Sequence, residues 1–192
     1  MKDRPAFVAD GQASNWSIWD RHFKHLEFIP ILDFIHALTY VYAAALAGRS
    51  TEEGWTIYVR WITWVWQGQV SRTIDELAQR ALELGTAPPE ASDADPRAIV
   101  AGTLTYLRNQ QSRMNYPEYR KLGLPITSSP IESTVKQINY RMKGTEKFWT
   151  RGGGESILQL RADQLSDTAP FDVYWARRAS QGTGVRNYAK AA

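Results

Sequence analysis

At 192 residues, the chain is long enough for one domain with a real core, and with no cysteine it has neither disulfides nor thiolate metal sites. Its 23 Lys+Arg against 20 Asp+Glu leave a net charge of +3, too mild to mark a nucleic-acid binder by itself. No apolar run approaches the roughly 20 residues that span a bilayer, and Met1-Lys-Asp-Arg-Pro5 leads into no apolar stretch, so neither a membrane span nor a signal peptide is expected and a cytoplasmic location fits.

In chain order, Ala6-Phe-Val-Ala-Asp10-Gly11 reads as a short buried strand that ends in an acid and a turn glycine. Ser17 to His25 carries the pattern of one or two helical turns. Phe28-Ile-Pro-Ile-Leu-Asp33 predicts a second apolar strand, again closed by Asp, with Pro30 favouring an edge position. An apolar, Ala-rich helix follows from Phe34 to Ala47 and stops at Gly48. Ser50 or Thr51 caps the next helix, with Glu52 and Glu53 well placed in its first turn. That helix carries Trp55, Trp61, Trp64 and Trp66 on nearly every side, so neighbours are expected to cover most of its faces.

Gln69 to Leu84 is amphipathic and ends at Gly85. Thr86 to Pro96, rich in Pro, Ala and Asp, is the one clear flexible loop. Helices are predicted at Arg97–Met114, roughly Pro130–Lys143, Glu155–Ser166 and Pro170–Ser180, and the tail from Gln181 to Ala192 reads as disordered. No internal repeat is visible.

Charge is unevenly placed along this plan. Between Leu104 and Arg151 stand nine Lys/Arg against three Glu, +6 for the segment and −3 for the rest, which makes the block a candidate phosphate-contacting surface. Within it, Ile131, Val135, Ile138 and Met142 form one apolar stripe at helical spacing, expected to face a core. Glu132, Lys136, Asn139 and Lys143 form the stripe beside it. One carboxylate among cations suits a metal site facing a phosphodiester. Taken alone, however, Glu132 with Lys136 is an exposed i,i+4 pair worth about 0.3–0.5 kcal/mol. His36, at i+3 from Asp33, taken alone is a packed histidine near a helix start.

Taken together, the pieces resemble something more specific. Ala9-Asp10-Gly11 with Trp16, Ile31-Leu-Asp33-Phe-Ile-His36-Ala37, Tyr106-Leu-Arg-Asn, Arg113-Met-Asn-Tyr-Pro-Glu-Tyr-Arg120, Gly123-Leu-Pro-Ile, Ile131-Glu132-Ser, Lys143-Gly-Thr-Glu-Lys-Phe-Trp149 and Ile157-Leu-Gln-Leu-Arg161 follow one another at compatible spacing. From about Phe7 to Trp175 the chain resembles the second half of a DDE insertion-sequence transposase, in the ISKra-type branch of the Mutator-like group. The resemblance implies an α/β fold, mostly α overall. A partial RNase H-like core retaining two strands occupies 1–48, a large all-helical insertion 49–127, and the catalytic-Glu helix with C-terminal helices 128–180, before a disordered tail at 181–192.

It further implies Asp10 and Glu132 as catalytic carboxylates and ligands of Mg²⁺ or Mn²⁺, with Asp33 and His36 in support. Lys136, Asn139, Arg141, Lys143 and Lys147 are then the DNA contacts. The implied partners are DNA, at element ends and target, and further copies of the chain, in a bacterial, nucleoid-associated setting. Relatives show Ser-Gly ahead of the Glu, whereas this chain has Ser128-Ser129-Pro130. The family's first catalytic Asp lies on a strand upstream of Asp10. Asp10 cannot be that first Asp with Asp33 second, because the 22 residues between them are too few for two strands and a helix. The chain is therefore expected to be the C-terminal part of a transposase, inactive alone. A non-catalytic DNA-binding fragment and an inert remnant stay open beside the enzymatic reading.

Overall fold

The computed structural model describes residues 5–182; the expected disordered tail lies, from 183 on, outside the described residues. The fold is mostly helical with one two-stranded parallel sheet, and the chain divides into two compact units between Ser128 and Ser129.

In the first unit, β1 (Ala6–Ala9) pairs in parallel with β2 (Ile29–Leu32), in the register Ala6↔Ile29 through Ala9↔Leu32. The connection runs through α1 (Ala13–Ile18), a π-turn at Trp19–Phe23 and a 3₁₀ turn at Lys24–Leu26. The sequence predicts only a turn or two from Ser17, but helix starts four residues earlier, because Asp10 and Asn15 organise the turn ahead of it. β1 is half-buried rather than buried, with only Ala9 fully covered. Pro30 is tolerated because β2 is an edge, like β1.

α2 (Phe34–Leu46) is capped by Asp33 and buries Ala37, Val41, Ala44 and Ala45, the small stripe that lets α3 (Thr51–Trp66) approach closely. At Gly54 of α3, an added Cβ would stand 3.0 Å from the Leu46 Cα, so only glycine permits that approach. Ser50 caps α3, its Oγ accepting from Glu53 N at 3.3 Å. α4 (Val70–Leu84) buries Val70, Thr73, Ile74 and Leu77, and its Glu76 accepts from Trp61 Nε1 at 2.7 Å and from Arg60 at 2.6 Å. α5 (Pro96–Gln110), capped by Asp95, buries Val100, Thr103, Leu104, Leu107 and Gln110. These elements and both strands share one hydrophobic cluster, so the segments 1–48 and 49–127 have a common core.

Two expectations fail here. The Trp-rich helix α3 is not covered on most faces: Trp61 is buried, whereas Trp55 and Trp66 are exposed. Guanidinium groups cover part of the remainder, Arg72 lying 4.3 Å from the Trp64 ring centre and Arg120 3.7 Å from that of Trp66. And α5 ends at Gln110, short of Met114; a 3₁₀ turn at Gln111–Arg113 leads into a short helix, α6 (Tyr116–Lys121), absent from the sequence-based plan. Its Tyr116 is fully buried and donates to the Leu32 carbonyl at 3.1 Å.

The second unit holds α7 (Ser129–Met142), α8 (Arg151–Leu165) and α9 (Pro170–Ser180). α8 starts at Arg151 rather than Glu155 because Thr150 caps it, accepting from Gly153 N at 3.1 Å. The apolar stripe of α7 does not face a core: the helix has no buried residue, and Ile131 is 66% exposed. Periodicity places those side chains on one face without supplying anything to cover it.

Candidate functional site

Parallel pairing puts the residues after β1 and β2 at neighbouring carboxyl ends of the sheet, the position where open parallel sheets hold ligands. Those residues are Asp10 and Asp33, and Asp33 N donates to the Ala9 carbonyl at 2.7 Å. The two acids have different surroundings.

Asp10 is half-buried. Its Oδ1 accepts from Gln12 N at 3.0 Å and from Asn15 Nδ2 at 2.8 Å, while Oδ2 has no partner among the described residues. Its carbonyl accepts from the Tyr106 hydroxyl at 2.9 Å. Burial, then neighbouring Tyr40 and Asp10, push the Tyr106 phenol well above its ordinary range, which keeps it a neutral donor. Tyr106 is itself held by stacking on Tyr40, ring centres 3.9 Å apart. The chain can pass so close to that ring only because residue 11 is glycine at φ +95°; a Cβ there would stand 2.7 Å from Tyr106 Cε2.

Asp33 is 1% exposed and saturated. Oδ1 accepts from His36 N at 3.0 Å, which caps α2; Oδ2 accepts from Ser128 N and Ser128 Oγ, each at 2.6 Å, and from Thr127 Oγ1 at 3.4 Å. Burial works to raise its pKa, but the Ser128 and His36 hydrogen bonds outweigh it and hold the carboxyl below its ordinary value. Asp33 is thus a clamp, fastening the end of the first unit to the start of α2. His36 Nδ1 stands 3.5 Å from Asp33 Oδ1, with the side chain partly open to solvent.

The structure brings Asp10, Asp33 and His36 together at the sheet end. Glu132, Lys136, Asn139, Arg141 and Lys143 belong to the second unit, on α7 or one residue past it. Glu132 is exposed in the first helical turn, and Lys136, Arg141 and Lys143 are exposed beside it. Lys147 also lies in that unit, donating to the Tyr140 carbonyl with its ammonium 5.2 Å from the Tyr140 ring centre.

For a hard divalent cation the donor test is oxygen chemistry. Asp10 passes it, because one carboxylate oxygen remains without a protein partner. Asp33 fits less well, since both its oxygens are occupied. Tyr106 and Ser128 were noted from sequence as parts of motifs, but neither they nor Asn15 were assigned to these two acids. Asn15 sits five residues after Asp10 and could have been suspected, but no sequence signal joins residues 10 and 106 or 33 and 128. Among the described residues no helix is long and apolar enough to cross a membrane. Comparison of the chain with family models, with curated proteins and with solved structures finds no match.

Proposed function

We propose that the chain is part of a DDE-type transposase with an RNase H-like core, acting in metal-dependent cleavage and strand transfer of DNA. One observation carries the reading: an acid with an unengaged oxygen, Asp10, stands at the carboxyl end of a parallel sheet beside a second strand that also ends in Asp. The ordered motifs read from the sequence support the same assignment.

Bound Mg²⁺ or Mn²⁺ would supply the Lewis-acid activation of the attacking and leaving oxygens. The residues of the chain divide the remaining work. Asp10, its Oδ1 fixed by Gln12 and Asn15, would help hold the ion. Glu132 is the second ligand, and Lys136, Asn139, Arg141, Lys143 and Lys147 contact the DNA backbone, which positions a duplex without reading its sequence. Asp33 keeps the Ser128 end of the first unit in place, and His36 turns its ring toward the same sheet end. In the family that the sequence resembles, the first acid of the triad lies on a strand ahead of the one that Asp10 matches.

The test uses the chain joined to such an upstream segment. Glu132→Gln is expected to abolish Mg²⁺-dependent cleavage of an element-end duplex while a gel shift shows binding retained, because the carboxylate serves the metal and not the phosphate. Cleavage near the parental rate would remove Glu132 from the site.

A further inference from the structure

A cleft of about 580 Å³ opens beside Asp10, between α1 with its π-turn and the C-terminal end of α5. Gly11, Trp16, Trp19, Asn109, Gln110 and Arg113 line it. Arg113 is the feature that sets it apart. Its guanidinium lies 4.3 Å from the Trp16 ring centre, and one of its nitrogens donates to Gln110 Oε1 at 2.9 Å and to the Asn109 carbonyl at 3.3 Å. Gln110 is in turn fixed, buried with its Nε2 on the Gly11 carbonyl at 3.1 Å. The cation is therefore held in one orientation before any ligand arrives.

What Arg113 lacks is an acid. Arg49, Arg60, Arg80 and Arg97 of the same unit each pair with a carboxylate; Arg113 pairs with none among the described residues, and unlike Arg21, Arg72, Arg108 and Arg120, which also have none, it lines the cleft beside Asp10. The one acid lining the cleft, Asp20, is engaged by Lys24 at 2.8 Å. The Trp16 indole N–H is buried without an acceptor among the described residues. A guanidinium presents a rigid fork of donors that matches phosphate geometry, and the Trp16 ring beneath it fixes the plane of that fork.

We propose that this cleft is a subsite for a phosphodiester of a nucleic-acid strand, with Arg113 holding the phosphate and Trp16 holding Arg113. The assignment rests on the reading of Asp10 as a metal ligand, since Gly11 lines the cleft and ties it to that acid. It extends the DNA-contacting residues from the second unit to the first.

The experiment uses the full 192-residue chain in EDTA, so that metal plays no part. Binding of a short oligothymidylate is followed by anisotropy across a salt series, with tryptophan fluorescence in parallel. Arg113→Gln is expected to weaken binding roughly tenfold or more, as for loss of a charge-assisted hydrogen bond. The log–log salt slope should fall by about 0.7, one phosphate contact on a single strand. Arg113→Lys should recover the slope but not the full affinity, and Arg72→Gln, which removes a guanidinium stacked on Trp64 outside the cleft, should stay within about twofold of the parent. Thermal melts of all three variants check that each is folded; if Arg113→Gln does not fold, Arg113→Lys decides, and parental affinity in that variant then overturns the proposal.

An Arg113→Gln variant indistinguishable from Arg72→Gln overturns the proposal. So does absence of oligothymidylate binding by the parent, and so does Arg113-dependent binding of inorganic phosphate without binding of the strand. Cleavage by the upstream-extended chain is scored separately. Arg113-dependent strand binding with no cleavage sinks the enzymatic reading and leaves the subsite; cleavage with an indifferent Arg113 does the reverse.

Discussion

The two units of this chain are both helical and nearly equal in their supply of aromatic residues per length, yet they treat those residues in opposite ways. In the first, Trp61, Tyr116, Ile31, Leu32, Leu77 and Leu107 are closed off from water. In the second, Gly154 is the one buried helical residue among those described, while Tyr140 is 77% and Phe148 89% exposed. Removing apolar surface from water yields roughly 25 cal/mol per Å², so the first unit carries its own stabilisation and the second gains little from its own packing. An amphipathic pattern is therefore a statement about which side chains share a face. It is silent on whether that face is covered.

The comparison can be broken most directly at its extremes. Trp61→Ala empties a site that is 1% exposed and leaves Glu76 without the indole donor, so a loss of about 3–5 kcal/mol is expected in urea unfolding. Phe148→Ala should cost less than about 0.5 kcal/mol. Equal costs would show that the second unit has a core of its own.

A smaller effect tests how the first unit holds its strand end. Gly11→Ala forces a Cβ against Tyr106 and Leu32 at a left-handed backbone position, and about 2–4 kcal/mol of destabilisation is expected in a thermal or urea melt. A neutral outcome would mean that the Asp10 turn is looser than its contacts imply.

The smallest effect concerns the Asp33 clamp and carries a pH signature. Asp33→Asn weakens the cap on α2 and the bonds from Ser128, at a cost of about 1.5–3 kcal/mol at neutral pH. Because the folded carboxyl titrates below its ordinary value near 3.8, its contribution is full above that pH and is lost as pH falls through the folded value. The parent should therefore lose more stability than the Asn variant as acid is added below about pH 4. Parallel stability–pH curves would show that the carboxylate charge does not contribute.

The same residues mark where sequence reading ends. Both strands were legible because apolar runs stop at Asp10-Gly11 and Asp33, α2 because an apolar, Ala-rich run stops at Gly48, and α3 because Ser50 stands where a cap belongs; the caps Asp33 and Asp95 of α2 and α5 were not read as such. The candidate acids at the strand ends followed from the same signals. α6 was missed because six residues opening on Tyr116-Pro117 carry no period to detect. α8 was started late because Gly152-Gly153-Gly154 reads as loop until Thr150 is seen to cap it. The resemblance gave Asp10 and Asp33 different roles, but the difference in their hydrogen bonding was not legible in the residues. It depends on Ser128 and Thr127, which reach one acid across more than ninety residues and leave the other with an open oxygen.

Backbone alternation in the two-strand sheet has one more consequence. Along β2, the groups facing away from β1 are partly closed: Pro30 has no N–H, and the Leu32 carbonyl is taken by Tyr116. Along β1, Ala6 and Val8 turn their N–H and C=O outward, with no partner among the described residues, until the Asp10 carbonyl meets Tyr106. The sheet thus has a direction of accretion. The β1 side offers an extended segment the more open row of partners, and the bond from Tyr106 closes that row at Asp10.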